Sequence, residues 1–164
     1  MFRTLAATAA LATGLSGLAA LPACAIDVLT WAEAHPEVTI LSSDELVMIE
    51  APGAVLEDFH WFARPLIIFA DSENDPRFVQ QMEYIDDDWM DLAERDVIVV
   101  VDTDPAAKSA IREELRPRGF MLVLIGKDGF KYLRKPLPWD VREISRSIDK
   151  MPLRQQELKD MRGR

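Results

Sequence analysis

Apolar and polar positions fall into blocks that predict one α/β domain. Three blocks are continuous apolar runs. Leu66–Ala70, bounded by Pro65 and Asp71, is apolar on both faces, as a central strand of a parallel or mixed sheet must be. Val97–Val101 is β-branched throughout between Asp96 and Asp102 and predicts a second strand. Phe120–Ile125 predicts a third. Gly126-Lys127-Asp128-Gly129 is a turn carrying the Asp-Gly hairpin signature, and the alternating Phe130–Arg134 returns as a more exposed strand broken by Pro136 and Pro138.

Helical spacing fills the intervals. Phe78, Met82, Ile85, Trp89 and Leu92 lie on one helical stripe, with acids on the opposite face. Asp75-Pro76 marks its start, because Asp accepts from a free first-turn amide and Pro loses nothing at the first helical position. Asp104-Pro105 repeats that signal for a helix carrying Ala107, Ala110, Ile111 and Leu115, stopped by Pro117. A last helix runs from about Trp139 to Lys150 with Val141, Ile144, Ile148 and Met151 inward, and the polar tail from Leu153 adds a turn or two. Upstream, Val28–Ala32 suits a short helix, and Val38–Leu41 and Glu45–Ile49 suit short strands or a hairpin. In Leu56–Phe62, Phe59 or Trp61 packs on the core. The order β-α-β-α-β-β-α predicts an α/β fold in which the first two strands are parallel and the last two antiparallel. Helices on both faces of such a mixed four-stranded sheet make a minimal thioredoxin-like arrangement.

The first 25 residues read differently. One early charge, Arg3, precedes an Ala/Leu-rich run from Leu5 to Leu21, and Ala23-Cys24-Ala25 is a small-x-small cleavage site. This predicts a signal peptide cleaved after Ala25 and an exported protein, periplasmic or extracellular. The alternative is a lipoprotein: Leu21-Pro22-Ala23-Cys24 resembles a lipobox, although Pro22 departs from it. Only that route puts the chain on a membrane. Cys24 is the one cysteine, so cleavage after Ala25 leaves a cysteine-free mature chain. Residues 26–55 then form an N-terminal extension, 56–158 the domain and 159–164 a basic tail.

Charge divides the chain. Residues 26–110 hold 20 Asp/Glu against 4 Lys/Arg, and residues 111–164 hold 8 against 14. An acidic whole, formally −9, argues against nucleic acid as the main partner.

Four stretches together resemble a known family: Arg64–Ala70 followed by Asp75-Pro76; Val99–Asp102; Leu122–Ile125 with Gly126-Lys127-Asp128-Gly129; and Ile148–Pro152 with Leu153-Arg154-Gln155-Gln156-Glu157. They are similar to the bacterial secreted family of unknown function called P-DUDES, also found in eukaryotic extracellular proteins of the sushi-repeat and equarin type. The likeness covers about Leu56 to Leu158. It implies a thioredoxin-like fold and export, and no particular reaction. Against catalytic thioredoxins, the loop after the first core strand lacks Cys-x-x-Cys, and no proline stands near Met121 before the third, so thiol–disulfide exchange is excluded.

Chemistry would sit at the carboxyl end of the strands. Asp71, Ser72, Glu73, Asn74, Asp102 and Asp104 gather there, an oxygen-rich set suited to a divalent cation and to a metal-dependent enzyme or ligand-binding protein. The plainer reading makes Asp75 and Asp104 N-caps and the rest solvated loop acids. Ser72 lacks a base, since His60 lies at the other end of the strand. Arg116, Arg118, Lys131 and Arg134 are a candidate basic interaction patch, and the same charges would guard an edge strand. Arg64 is expected to pair with an acid such as Asp96. The reading that results is an exported binding module without a cofactor, whose partner is a protein or an envelope component.

Overall fold

A computed structural model of the chain describes residues 30, 31, 34–36, 38–42 and 46–163. The predicted leader, with Cys24 and the Ala25 cleavage site, lies outside the described residues, as does most of the helix expected at 28–32.

The sheet has six strands: β1 (Ile40–Ser42), β2 (Met48–Glu50), β3 (Arg64–Phe69), β4 (Val97–Asp102), β5 (Met121–Ile125) and β6 (Lys131–Lys135). They lie in the order β1-β2-β4-β3-β5-β6. The two core strands β3 and β4 are parallel, with Leu66 opposite Val99, and β5 and β6 are antiparallel, as the apolar runs predict. The count of four strands is corrected to six. The two upstream apolar segments form an antiparallel hairpin, and its second strand joins β4 in parallel. The reason lies in β4. It is buried along its whole length, so its second edge needs a partner, which β2 supplies. Val99 N–H donates to the Val47 carbonyl at 2.9 Å and Ala51 N–H to that of Val101 at 2.8 Å.

Alternate residues of each core strand enter opposite layers. Ile67, Phe69, Ile98 and Val100 pack with Phe59, Ile111 and Leu115 on one face. Leu66, Ile68, Val97 and Val99 pack with Ile85, Leu92, Ile144 and Ile148 on the other. Both faces are therefore covered by helices. Of the two aromatics before β3, Phe59 is the core residue and Trp61 stays 73% exposed.

The helices follow the expected stripes with local departures. The first breaks into α1 (Pro76–Asp87) and α2 (Trp89–Ala93), because Asp88 leaves helical geometry at φ −124°. Asp86-Asp87-Asp88 puts negative charge at a helix carboxyl end, and Asp side chains compete for backbone groups. The stripe survives the break: Ile85 and Leu92 are buried, and Phe78, Met82 and Trp89 pack against the same cluster. The second helix also divides. Asp104 caps one turn, Pro105–Ala107, Lys108 turns left-handed, and Ser109 caps α3 (Ala110–Leu115). Asp140 caps α4 (Val141–Asp149), and the tail forms a full helix, α5 (Pro152–Arg162). No helix among the described residues is long and apolar enough to cross a membrane.

Candidate functional site

The acids at the carboxyl end of the sheet do not converge on one point. Asp71, Ser72, Glu73 and Asn74 are exposed after β3. The Ser72 hydroxyl accepts from Asn74 N–H at 3.2 Å, which closes the turn. Asp75 caps α1 through Arg77 N–H at 2.9 Å and pairs with the Arg77 guanidinium at 2.7 Å. The hydrogen bond from the Arg77 side chain, first among its causes, holds the Asp75 carboxyl below its ordinary value. Asp104 is committed as a cap, accepting from Ala106 N–H at 2.9 Å.

Asp102 has a structural assignment that the sequence did not reveal. It is buried, and both its oxygens are taken. One receives the Arg112 guanidinium at 2.7 and 2.9 Å, the other the Ser109 hydroxyl at 2.5 Å. Arg112 also donates to the carbonyls of Ala70 and Asp102, both at 2.9 Å. One arginine thus ties α3 to the ends of β3 and β4. No group of three or more His, Cys, Asp or Glu among the described residues is placed to hold a metal ion. Ser72 has no histidine near it, for His60 packs at the far end against Gly129, in the turn between β5 and β6.

The basic patch is partly engaged. Lys131 pairs with Glu114 at 2.9 Å. Arg134 donates to the Leu115 carbonyl at 2.7 Å and to the Met121 sulfur at 2.8 Å, capping the end of α3. Arg116 ends α3 in a left-handed conformation, and Arg116 and Arg118 are exposed.

At the amino-terminal end of β3 the fold builds an ion network. Arg64 is fully buried. It donates two hydrogen bonds to the Glu157 carboxylate at 2.8 and 2.9 Å and one to the Arg95 carbonyl at 2.8 Å. The expected Asp96 is present at 3.6 Å. Lys127 bridges Asp96 at 2.6 Å and Glu157 at 3.3 Å, and Arg154 meets Glu157 at 3.3 Å. Arg95 holds Asp149 through paired contacts of 3.0 Å. Burial alone pushes the Glu157 carboxyl up, but the Arg64 hydrogen bond and charge, with Lys127, outweigh it and hold Glu157 below its ordinary value. The Asp149 carboxylate raises Arg95 in turn. Arg64, Lys127, Arg154 and Glu157 all belong to the stretches that carry the family resemblance. Their joint role is to fasten α5 and the hairpin turn to the base of the sheet.

The open feature is a groove. Its larger part, about 480 Å³, runs between α1 and the segment that leads into β2. Leu46, Met48, Phe78, Met82, Ile85 and Trp89 form its apolar lining, and Glu83 and Asp86 are its charged lining residues among the described ones. A second part, about 360 Å³, shares Met48, Phe78 and Met82 and reaches the end of β4, where Glu50, Glu73 and Asp104 border it. No Lys, Arg or His lines either part among the described residues. The volumes match those of ligand pockets. Sequence reasoning assigned Phe78, Met82 and Trp89 to the core. They are only partly buried, because the facing wall comes from the β1–β2 hairpin, whose attachment to β4 depends on long-range pairing.

The family comparison matches residues 55–157 to a domain of unknown function (DUF4174). Searches of curated proteins and of solved structures found no match. The chain belongs to the DUF4174 family, which spans the structure from the turn before β3 into α5.

Proposed function

We propose that the protein is an exported, non-redox, thioredoxin-like binding module that receives a partner in the groove beside α1. The observation that carries this reading is the contrast between the two ends of the chemistry. Both oxygens of Asp102, the best-placed acid at the strand ends, are taken by Arg112 and Ser109, while an apolar groove whose extension Asp102 borders stands open among the described residues. The strand sequence β2-β4-β3-β5-β6, parallel through β3 and antiparallel after it, supports a thioredoxin-like core with β1 as an added edge. With a single cysteine, the chain has no dithiol for exchange. The Leu5–Leu21 run and the Ala23-Cys24-Ala25 site support export by signal cleavage.

The test is site-specific photocrosslinking in producing cells. A photoreactive residue at Val79, which is 44% exposed on the groove wall, should give discrete adducts. The same residue at Glu113, on the opposite face, should not. Equal labelling at both positions, or none at Val79, overturns the groove as the binding site. Mass measurement of the exported fraction should give a chain beginning at Ile26. A diacylated Cys24 would show a lipoprotein instead, an intact Met1 would refute cleavage after Ala25, and absence of the protein from that fraction would refute export.

A further inference from the structure

Resting on that reading of the groove, we infer that its occupant is a cationic amphipathic helix. Three features select this chemistry. The first is charge. Glu83 and Asp86 border the main groove, Glu50, Glu73 and Asp104 its extension, and no basic side chain interrupts them among the described residues. An anionic or neutral polar segment would place its charges against acids or leave these acids uncompensated. A segment with basic flanks is complementary along the full length.

The second feature is the lining. Met48 and Met82 line the groove together with Phe78 and Trp89. Unbranched thioethers adapt to many apolar shapes and suit a site that reads an apolar stripe rather than one fixed side chain. Val79, on the same wall, stays exposed although it is apolar.

The third is length. One wall is α1, a helix of 12 residues. At 1.5 Å per residue it extends about 18 Å, so a partner helix of roughly three turns lies alongside it. Such a helix presents anchors at i, i+3 or i+4 and i+7, the pattern by which helices fill apolar grooves. Cations flanking the stripe on one side then meet Glu83 and Asp86 on α1. Those further along meet Glu50 beside the extension.

Binding of a labelled synthetic peptide of Leu and Lys, about 14 residues with Leu at helical spacing, tests the inference by fluorescence anisotropy. Trp89 supplies a second readout from the groove itself. The peptide should bind, and the double variant Glu83→Lys/Asp86→Lys should weaken binding about tenfold, since each reversal replaces an attraction by a repulsion. Glu57→Lys/Glu113→Lys removes the same total charge from the opposite face and should change binding less than about twofold. A scrambled peptide of identical composition and a Leu/Glu peptide at the same spacing should bind at least about tenfold more weakly. No binding of the Leu/Lys peptide, equal binding of the scrambled or Leu/Glu peptide, or equal loss in the two double variants overturns the inference. Adducts at Val79 in cells without Leu/Lys binding would retain the groove and reject the cationic helix. Absence of both would reject the groove as well.

Discussion

Replacing Glu157 by Gln isolates the electrostatic value of the network beneath β3. Arg64 is buried completely, so its charge depends on the groups around it. Glu157 supplies two contacts of 2.8 and 2.9 Å, and Asp96 stands off at 3.6 Å. Removing one partner of a buried ion pair costs about 3–5 kcal/mol when the remaining charge is left alone. Here Gln retains one acceptor and Asp96 retains its charge, so a loss of about 2–3 kcal/mol is expected. For a domain of this size that lowers Tm by about 6–12 °C. Urea unfolding followed by tryptophan fluorescence measures it directly, and an unchanged slope against urea would confirm an intact native state. The pH dependence supplies an independent check. Folding holds the Glu157 carboxyl below its ordinary value of 4.5, so its contribution is present in full above that value. As pH falls through the folded pKa, the contribution is lost. The gap between wild type and Glu157→Gln should therefore be widest near neutrality and close in acid. A gap below about 0.5 kcal/mol at pH 7, the size of an ordinary surface substitution, would refute the argument.

Four further outcomes follow from local contacts. Asp102→Asn leaves the Arg112 guanidinium without its carboxylate and should cost about 2–4 kcal/mol in chemical denaturation; a neutral effect would return Asp102 to the pool of free acids. Because both Asp102 oxygens are engaged, millimolar calcium should leave the thermal midpoint unchanged, and a clear upward shift would revive the cation site. Gln81, fully buried, accepts from Trp139 N–H at 2.7 Å and donates to its carbonyl at 3.1 Å, so Gln81→Leu should destabilise by about 2 kcal/mol, with wild-type stability as the refuting result. Gly129 has φ +75° and a Cβ there would come within 2.5 Å of the His60 ring, so Gly129→Ala should cost about 1–3 kcal/mol; adding His60→Ala should recover only the steric part, and full recovery would refute the backbone strain.

Much of the fold was legible because its signals are local. Val97–Val101 and Leu66–Phe69 are apolar on both faces, and a strand is the element that buries both. Asp75 and Asp104 each precede a helical turn and cap it through a neighbouring amide. What stayed hidden depends on groups far apart in the chain. β2 carries only three residues, and its place beside β4 is decided by the open edge of a strand some 50 residues away. The Asp104-Pro105 signal was real, but the helix it announced is interrupted because buried Asp102 draws Ser109 into a second cap. The tail was legible as polar but not as anchored. Its hold on Arg64 spans 93 residues and leaves no periodic trace.

The same distinction separates what holds the domain from what shapes the groove. Arg64, Lys127, Arg154 and Glu157 lie within the residues matched to the family and fasten sheet, hairpin and α5 together, and none of them lines the groove. The groove instead straddles the family boundary. Phe78, Met82 and Trp89 lie within the matched residues 55–157, while Leu46, Met48 and Glu50 precede them. One wall is thus family scaffold and the other is a short hairpin held to it by β2–β4 backbone pairing and by the buried side chains of Val47 and Ile49. Backbone pairing constrains register and leaves side chains free to vary. A change at Met48 or Glu50 can therefore alter the shape and charge of the site without touching the ion network beneath β3. On the proposed binding reading, the hairpin is the element best placed to set partner choice on a common frame.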